Sequence, residues 1–217
     1  MSMRDEGSVD IYGLMEASRI GERLKGYIMD CVRFHTFPAA GLILGVFMVD
    51  LALEKLGAKP GDRLYAVSES PKCLPDAVQV ITHCTYGNHR LRVIDTGRFS
   101  IALNRFSEGR TAPGVRVFID AKKVAAYPTL YAWYTNDYNG GADGKALLEE
   151  ILKAGRSVLS WEYVNVRFTP KEKWRPVKCP SCGELVPENR LENGVCRACG
   201  SMAYYEREMK ASGQLLN

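Results

Sequence analysis

The hydrophobic positions in the first sixty residues predict two helices. Apolar residues recur near helical spacing over residues 11–32, and Asp10 can cap the first turn. A second run, residues 40–56, is apolar on nearly all sides until Asp50 and is followed by Gly57, a residue typical of helix ends. We therefore expect the second helix to lie at the centre of the fold.

Glycines in this second helix indicate a close contact. Gly41 and Gly45 lie one turn apart, so they present no side chain along one stripe of the helix. Another segment of backbone, or a ligand, can approach closely there.

The rest of the first 170 residues alternates between β-rich runs and short helical patterns. Asp95-Thr96-Gly97 joins two of these runs and predicts a hairpin, and Pro75 suits the first turn of a helix. Strands are predicted at residues 63–69, 91–94, 98–103, 115–119 and 161–168, helices at 76–82 and 145–154, and an irregular connection at 127–141. The last strand alternates like an exposed or edge strand. Because helices and strands do not alternate regularly, we expect an α+β core with a mixed helix and antiparallel-sheet architecture rather than a doubly wound sheet.

The composition changes near residue 169. A basic run surrounds Trp174, and Pro170 and Pro176 interrupt regular structure there. The cations of this run are Arg167, Lys171, Lys173, Arg175 and Lys178, and its one acid is Glu172. We place a core domain at residues 1–170 and a basic linker with a small module at residues 171–217.

The C-terminal module contains two C-x-x-C pairs. Cys179 and Cys182 form the first pair, Cys196 and Cys199 form the second, and a glycine follows each pair. Pairs at this separation let four thiolates converge on one tetrahedral zinc ion. Two disulfides or a thioredoxin-like redox pair are the alternatives, and four matched cysteines favour structural zinc over both.

Charge and hydropathy limit the classes of partner. The formal net charge is +4 with neutral cysteines, and four thiolates around one Zn²⁺ lower it to +2, which gives little support to nucleic-acid binding. The most apolar stretch, residues 37–49, is too short to span a bilayer. The N-terminus does not have the pattern of a signal peptide. We expect a cytoplasmic protein with reduced thiols and no membrane segment.

The three cysteines and three histidines outside this quartet all lie between residues 31 and 89. They are Cys31, His35, Cys73, His83, Cys84 and His89. These side chains bind metals, act as nucleophiles or move protons near neutral pH, so we expect the functional site in this region. For Cys31 a place in the core is favoured, for His89 a solvated loop, and for His83 the end of a helix. For His35 and Cys73, function and packing are equally favoured.

The two remaining cysteines flank one predicted helix. Cys73 precedes helix 76–82, whose N-terminus would lower the pKa of a thiol, and Cys84 follows it. The helix separates the two thiols by roughly 12–16 Å, so they do not bind one metal ion within one subunit. A site shared between subunits removes this objection, and we expect a homodimer.

Three motifs with fixed spacings cross this region. They are Phe34-His35-x5-Gly41-x3-Gly45, Glu69-x3-Cys73-x2-Asp76-Ala77-Val78-Gln79 and Thr82-x-Cys84-Thr85-x-Gly87. In this order they resemble the FmdE family, named for the FmdE component of formylmethanofuran dehydrogenase, over roughly residues 20–170. The cysteine module resembles the treble-clef or ribbon type zinc finger that some members carry.

The resemblance implies that His35, Cys73 and Cys84 are the site residues, with Asp76, Gln79 and Thr85 nearby. The chain departs from the family at Phe37 and Ala39, which stand where members usually have a histidine and a cysteine. The resemblance also leaves room for a second metal ion in the core, of unknown identity.

The same resemblance implies an association with the other subunits of a molybdenum or tungsten formylmethanofuran dehydrogenase, which interconverts CO₂ and a formylated amine cofactor. The chain shows neither an iron–sulfur cysteine run beyond the quartet nor a dinucleotide fingerprint, so an accessory role or a separate metal- or thiol-dependent step is expected. A ligand-sensing or scaffold protein whose finger binds nucleic acid or a protein is the alternative. A thiol-redox role for Cys73 or Cys84 is the third and least favoured.

Overall fold

The structure, a computed structural model, describes residues 9–137, 144–168 and 173–206. The described residues form two compact units, one ending at Phe168 and one in the C-terminal tail. Helices in the described part of the chain are α1 Ile11–Ala17, α2 Glu22–His35, α3 Ala40–Leu56, α4 Leu74–Thr82, α5 Ala121–Val124, α6 Pro128–Tyr134 and α7 Gly144–Ala154. Strands there are β1 Leu64–Ser68, β2 Leu91–Val93, β3 Ser100–Arg105, β4 Thr111–Ile119 and β5 Leu159–Arg167, and in the tail β6 Pro176–Lys178, β7 Leu185–Pro187, β8 Leu191–Glu192 and β9 Val195–Cys196.

Helix α3 is the centre of the first unit, as its apolar pattern predicts. Every residue from Gly41 to Leu53 is buried, and the helix packs against α2, α4 and α7 and against the sheet strands β3 and β4. Helix α4 makes the close approach that the glycine stripe allows. A methyl group at Gly45 would lie 3.0 Å from the Cβ of Ala77. The glycines therefore set the spacing between α3 and α4.

The first unit has one five-stranded sheet with the order β2-β1-β3-β4-β5. Strands β1 and β2 are parallel and joined through α4, and the other pairs are antiparallel. The α+β prediction is confirmed. Strand β5 lies at the edge of the sheet, as its alternation predicts.

The predicted hairpin between residues 91–94 and 98–103 is wrong. Strands β2 and β3 do not pair with each other, because β1 lies between them. The connection passes over the end of β1, where the N–H of Ile94 donates to the carbonyl of Ser68 and the N–H of Thr96 donates to the carbonyl of Glu69. The buried strand β1 thus has a partner on both sides, which a β2–β3 hairpin would not provide.

Two helix predictions also differ from the structure. The helix predicted over residues 11–32 is two helices, because the chain breaks at Arg19, a residue with φ 54°, and α2 starts afresh after Gly21. Residues 127–141 were expected to be irregular, yet α6 forms there with Pro128 in its first turn. Part of that predicted connection lies outside the described residues.

The tail unit is built from two short ladders. Strand β6 pairs with β7 and strand β8 with β9, both antiparallel. Each ladder ends near one of the cysteine pairs, so both pairs are held in tight turns. Across the described ranges of the whole chain, no helix has the length and apolar character needed to cross a bilayer.

Candidate functional site

The four tail cysteines converge as their spacing predicts. The Sγ atoms of Cys179, Cys182, Cys196 and Cys199 all lie within 4.8 Å of one another, so the group could hold a metal ion. The Sγ atoms of Cys182 and Cys196 are 3.9 Å apart, close to the roughly 3.8 Å that tetrahedral coordination with 2.3 Å metal–sulfur bonds requires. Backbone N–H groups of Cys182 and Cys196 donate to Cys179 and lower its pKa to about 6. This sulfur is therefore ready to serve as a thiolate ligand.

His35 and Asp76 form a pair between two helices of the first unit. His35 ends α2, Asp76 lies in the first turn of α4, and the His35 Nδ1 lies 2.6 Å from the Asp76 carboxylate. Such a contact orients the imidazole ring and leaves Nε2 for another partner. Cys31 lies one turn earlier on α2 and is buried. Burial and the charges of Asp30 and Asp76 raise the pKa of Cys31 to about 12, and its predicted place in the core is confirmed.

Cys73 occupies a strained position at the start of α4. It is the N-cap, with φ 54° and ψ −52°, and the N–H of Leu74 donates to the carbonyl of Lys72 at 2.5 Å. These features define a γ-turn of the positive-φ form, a rare conformation for a residue other than glycine. The Cys73 side chain packs against α3, because a methyl group at Gly41 would lie 3.2 Å from its sulfur. Backbone strain of this kind persists where surrounding structure enforces it and is frequent at functional sites.

The expected lowering of the Cys73 pKa is not found. Burial raises the pKa of the Cys73 thiol, the Asp76 charge raises it further, and Lys72 offsets only part of the rise. The thiol at the head of α4 therefore stays protonated near neutral pH. Without a lowered pKa it is not an activated nucleophile.

Replacing Asp76 with asparagine is expected to speed the alkylation of Cys73 by iodoacetamide at pH 7, by roughly three- to tenfold. The substitution removes a negative charge that raises the thiol pKa, so the reactive thiolate fraction grows. Mass spectrometry of the peptide that contains Cys73 measures the rate. The matched control is Asp95→Asn, an acid on the same cleft whose charge does not act on this thiol. An unchanged rate in the Asp76 variant would contradict the electrostatic explanation.

Cys84 lies away from Cys73. It follows α4 at the opposite end, is fully buried in the hydrophobic core, and is separated from Cys73 by a nine-residue helix of roughly 13 Å. Burial raises its pKa. The structure therefore does not bring the two cysteines together within the chain. A buried Cys84 also cannot meet a Cys73 of a second subunit, so it gives no reason for a dimer.

The other residues of this region hold the loop after α4. His83 is the helix C-cap, and His89 is exposed, as expected for both. Gln79 accepts a hydrogen bond from the N–H of Tyr86, and Thr85 accepts one from the N–H of Asn88. Among the described residues, the tail quartet is the only group of three or more Cys, His, Asp or Glu ligand atoms close enough to share a metal ion. His35, Cys73 and Cys84 do not form such a group.

A cleft of about 940 Å³ opens beside Cys73. Its walls come from the start of α3, from the segments that follow β1 and β2, from β3 and β4, and from α6. Since β1 and β2 are parallel, the two segments leave the sheet at the carboxyl ends of adjacent strands, where α/β proteins commonly bind ligands. The lining residues with polar or aromatic side chains that matter below are Lys72, Cys73, Asp95, Arg98, Phe99, Arg116 and Trp133.

A buried carboxylate organises the charged wall of the cleft. Glu69 is 7% exposed, and both its oxygens accept hydrogen bonds from Arg116, the shorter at 2.6 Å. The Nε of Arg98 lies 2.6 Å from the same carboxylate. Burial alone would raise the pKa of Glu69, but the bonds from Arg116 and Ser100 and the charge of Arg98 hold it below its usual value. Glu69 therefore remains ionised and holds both guanidinium groups.

The sequence analysis missed Arg98, Phe99, Arg116 and Trp133. A local signal exists for Arg116, a cation inside the apolar strand β4. Its partner Glu69 lies 47 residues earlier, so the pair appears only once the strand order is known. Trp133 belongs to α6, in a segment that was predicted to be irregular.

An α+β unit with a ligand-sized cleft and a separate four-cysteine unit define a class of two-unit proteins with a metal-binding tail. Residues 34–166 match the family described as "FmdE, Molybdenum formylmethanofuran dehydrogenase operon". Because this match covers more than half of the chain, the chain belongs to the FmdE family, and the resemblance seen in the motifs is confirmed.

Two relatives place the chain further. It is similar to the crystal structure of an FmdE-like protein of the tungsten formylmethanofuran dehydrogenase type from Syntrophus aciditrophicus, with a TM-score of 0.69 and 34% sequence identity over 84% of this chain and 95% of that one. It is 28% identical over 214 residues to a "Probable S-adenosyl-L-methionine-binding protein" of Archaeoglobus fulgidus. That match covers 88% of this chain and 57% of the relative, so the chain spans less than two thirds of that protein.

Proposed function

We propose that this protein is a metal-binding accessory protein of formylmethanofuran dehydrogenase-type one-carbon metabolism. Its core cleft binds a small molecule beside Cys73, and its tail holds a structural zinc ion. The observation that carries the proposal is the cleft itself, which opens at the strained Cys73 within the segment that matches the FmdE family.

The tail quartet fits a structural zinc ion. Four thiolates close the tetrahedral coordination shell and leave no open position for a substrate, so the metal would stabilise the tail rather than take part in a reaction. The cysteines Cys179, Cys182, Cys196 and Cys199 would hold it.

The chemistry of the cleft favours binding over catalysis. Cys73 keeps a raised thiol pKa, and the cleft therefore has no activated nucleophile at this position. Both departures from the family motif fall here, since Ala39 lines the cleft and the ring of Phe37 packs against His35 at a centroid distance of 4.8 Å. With two fewer metal-binding side chains, the site is better suited to hold a ligand than to activate one.

The second candidate, a nucleic-acid-binding finger, has weaker support. Residues 173–206 contain five cations and four acids, and four thiolates around Zn²⁺ make this part of the tail negative. Arg175 and Arg197 are also engaged by Glu188 and Glu192. A protein partner, such as another component of the dehydrogenase, suits the tail better. The homodimer stays a prediction, which the mass in light scattering decides.

S-adenosylmethionine binding is not part of the proposal. The printed name of the Archaeoglobus relative does not say which part of that protein binds the molecule, and the chain spans 57% of it.

Adding the purified protein to a formylmethanofuran dehydrogenase that lacks its FmdE component is expected to raise the rate of CO₂ reduction to the formyl product. Cys73→Trp, which fills the cleft, is expected to remove the increase, whereas His89→Ala at an exposed loop position keeps it. The rate and co-purification with the dehydrogenase are measured together. No binding and no change in rate with the wild-type protein would refute the accessory role.

A further inference from the structure

We propose that the cleft beside Cys73 binds an anionic small molecule with a flat unsaturated ring. Its acid group lies on Arg98 and Lys72, and its ring lies against Phe99 and Trp133. This inference rests on the proposed function, because it assigns a ligand class to the same cleft.

Arg98 presents unpaired donors to the cleft. Its Nε is bound to Glu69 at 2.6 Å and to the Thr96 hydroxyl at 3.2 Å, so the base of the guanidinium group is fixed. The side chain is 63% exposed, and within the described residues its two terminal nitrogens have no hydrogen-bond acceptor. A guanidinium group held in this way offers two parallel N–H donors, the geometry that carboxylates and phosphates accept.

Lys72 adds a second cation on the same cleft. Its side chain is exposed, and it forms no ion pair within the described ranges of the chain. The backbone N–H of Lys72 donates to the Ser70 hydroxyl, which fixes the loop that carries it. Lys72 and Arg98 come from the segments after β1 and β2, so both charges stand at the carboxyl ends of the two parallel strands.

Arg116 positions the site and does not contact the ligand. Its Nε and Nη2 donate to Glu69, its Nη1 donates to Glu162, and Nη2 also donates to Ser100. These bonds use the donors of the group and keep Glu69 ionised. Arg116 therefore acts through Glu69 on the orientation of Arg98.

The charge of the cleft favours an anion. Apart from the engaged Glu69, the acid on its lining is Asp95, whose carboxylate accepts the N–H of Gly97 in its own turn. Three cations face these two acids. Helix α3 also begins at the cleft, with Ala39 as an N-cap that has no side-chain acceptor, so its dipole adds to the positive potential.

The aromatic wall selects a flat ring. Phe99 and Trp133 meet edge to face, with centroids 5.7 Å apart and planes at 85°, and both are half-buried. This fixed corner leaves one flat indole or phenyl surface for stacking. The volume of about 940 Å³ lies within the range of small-molecule sites, so a ring and a charged chain fit together.

The test compares charged and neutral members of two probe pairs. Isothermal titration with nicotinate and nicotinamide examines a carboxylate, and titration with AMP and adenosine examines a phosphate. In at least one pair, the anion is expected to bind about tenfold more tightly than its neutral partner. The pair with the larger ratio identifies which acid group the cleft prefers. Equal affinities within both pairs, or no binding of any probe, would overturn the proposal.

Two variants locate the binding. Arg98→Gln is expected to abolish the tenfold preference for the anion and to leave the neutral probe unchanged, whereas Arg110→Gln, at an exposed arginine off the cleft lining, preserves the preference. Binding should quench tryptophan fluorescence in Trp161→Phe but not in Trp133→Phe. A quench that survives in Trp133→Phe contradicts the aromatic wall. Circular dichroism melting confirms that the variants are folded.

The outcomes separate this inference from the accessory role. Probe binding without any effect on the dehydrogenase would keep the ligand class and reject the accessory role. Stimulation of the dehydrogenase with equal affinity for charged and neutral probes would do the reverse.

Discussion

Replacing Cys179 with serine is expected to release one zinc ion per chain and to unfold the tail while the first unit stays folded. Within residues 173–206 the only buried residues are Cys179 and Cys196, so the described tail has no hydrophobic core to hold its short ladders. Metal coordination supplies on the order of 10–16 kcal/mol of apparent binding energy to such modules. Removing one thiolate opens the coordination shell and takes away most of that stabilisation.

Elemental mass spectrometry measures the metal content, and limited proteolysis reports the folding of the tail. Ser181→Ala is the matched control, because Ser181 lies between the first two cysteines and is exposed. It should retain the metal and the protease resistance. A Cys179→Ser protein with a full metal equivalent and a resistant tail would show that the quartet is not the structural metal site. A metal other than zinc in the wild-type protein would correct the identity proposed above.

The elements that the sequence predicts best are those whose signal is local. The run from Ala40 to Leu56 is long, uniformly apolar and ended by Gly57, and the predicted bounds of α3 agree with the structure. The four-cysteine group is equally local, because each pair forms one turn and the spacing alone brings the pairs together. No distant contact is needed for either prediction.

The order of the strands depends on distant contacts and was predicted wrongly. Asp95-Thr96-Gly97 has the composition of a hairpin turn, but its Thr96 hydroxyl and the neighbouring Arg98 both bind Glu69 at the end of β1. These contacts hold the turn over β1 and place that strand between β2 and β3. A pattern of apolar and polar positions does not show which strand an ionised glutamate will draw together.

The candidate site was predicted in part for the same reason. Cys73 and His35 were identified from residue type alone, and the structure places Cys73 on the cleft and His35 on Asp76. The other lining residues come from five separated segments and have no shared local signal. The expected thiolate at Cys73 was wrong because burial and the Asp76 charge raise the pKa, and burial cannot be judged from the position before a helix.

Replacing Asp50 with alanine is expected to destabilise the first unit by about 3–5 kcal/mol. Asp50 is the polar interruption in α3 and is 1% exposed. It is bound by Arg23 from α2 and by Arg156 from the turn after α7, so one carboxylate ties three elements together. The variant leaves Arg156, whose side chain is 28% exposed, with Glu54 as its remaining acid and adds a cavity beside a buried helix.

Urea denaturation measures this loss, and Asp30→Ala is the matched control. Asp30 is an exposed aspartate paired with Arg33 one turn away on α2, and a surface pair of this kind contributes under about 1 kcal/mol. Equal midpoints for the two variants would show that the Asp50 network does not stabilise the fold. Asp50→Leu separates charge from packing: a large loss in both Asp50 variants assigns the effect to the stranded arginines, because leucine fills the cavity. A loss confined to alanine assigns it to the cavity. The first result would mean that Asp50, on a helix otherwise apolar on every side, fixes which face of α3 meets α2 and α7.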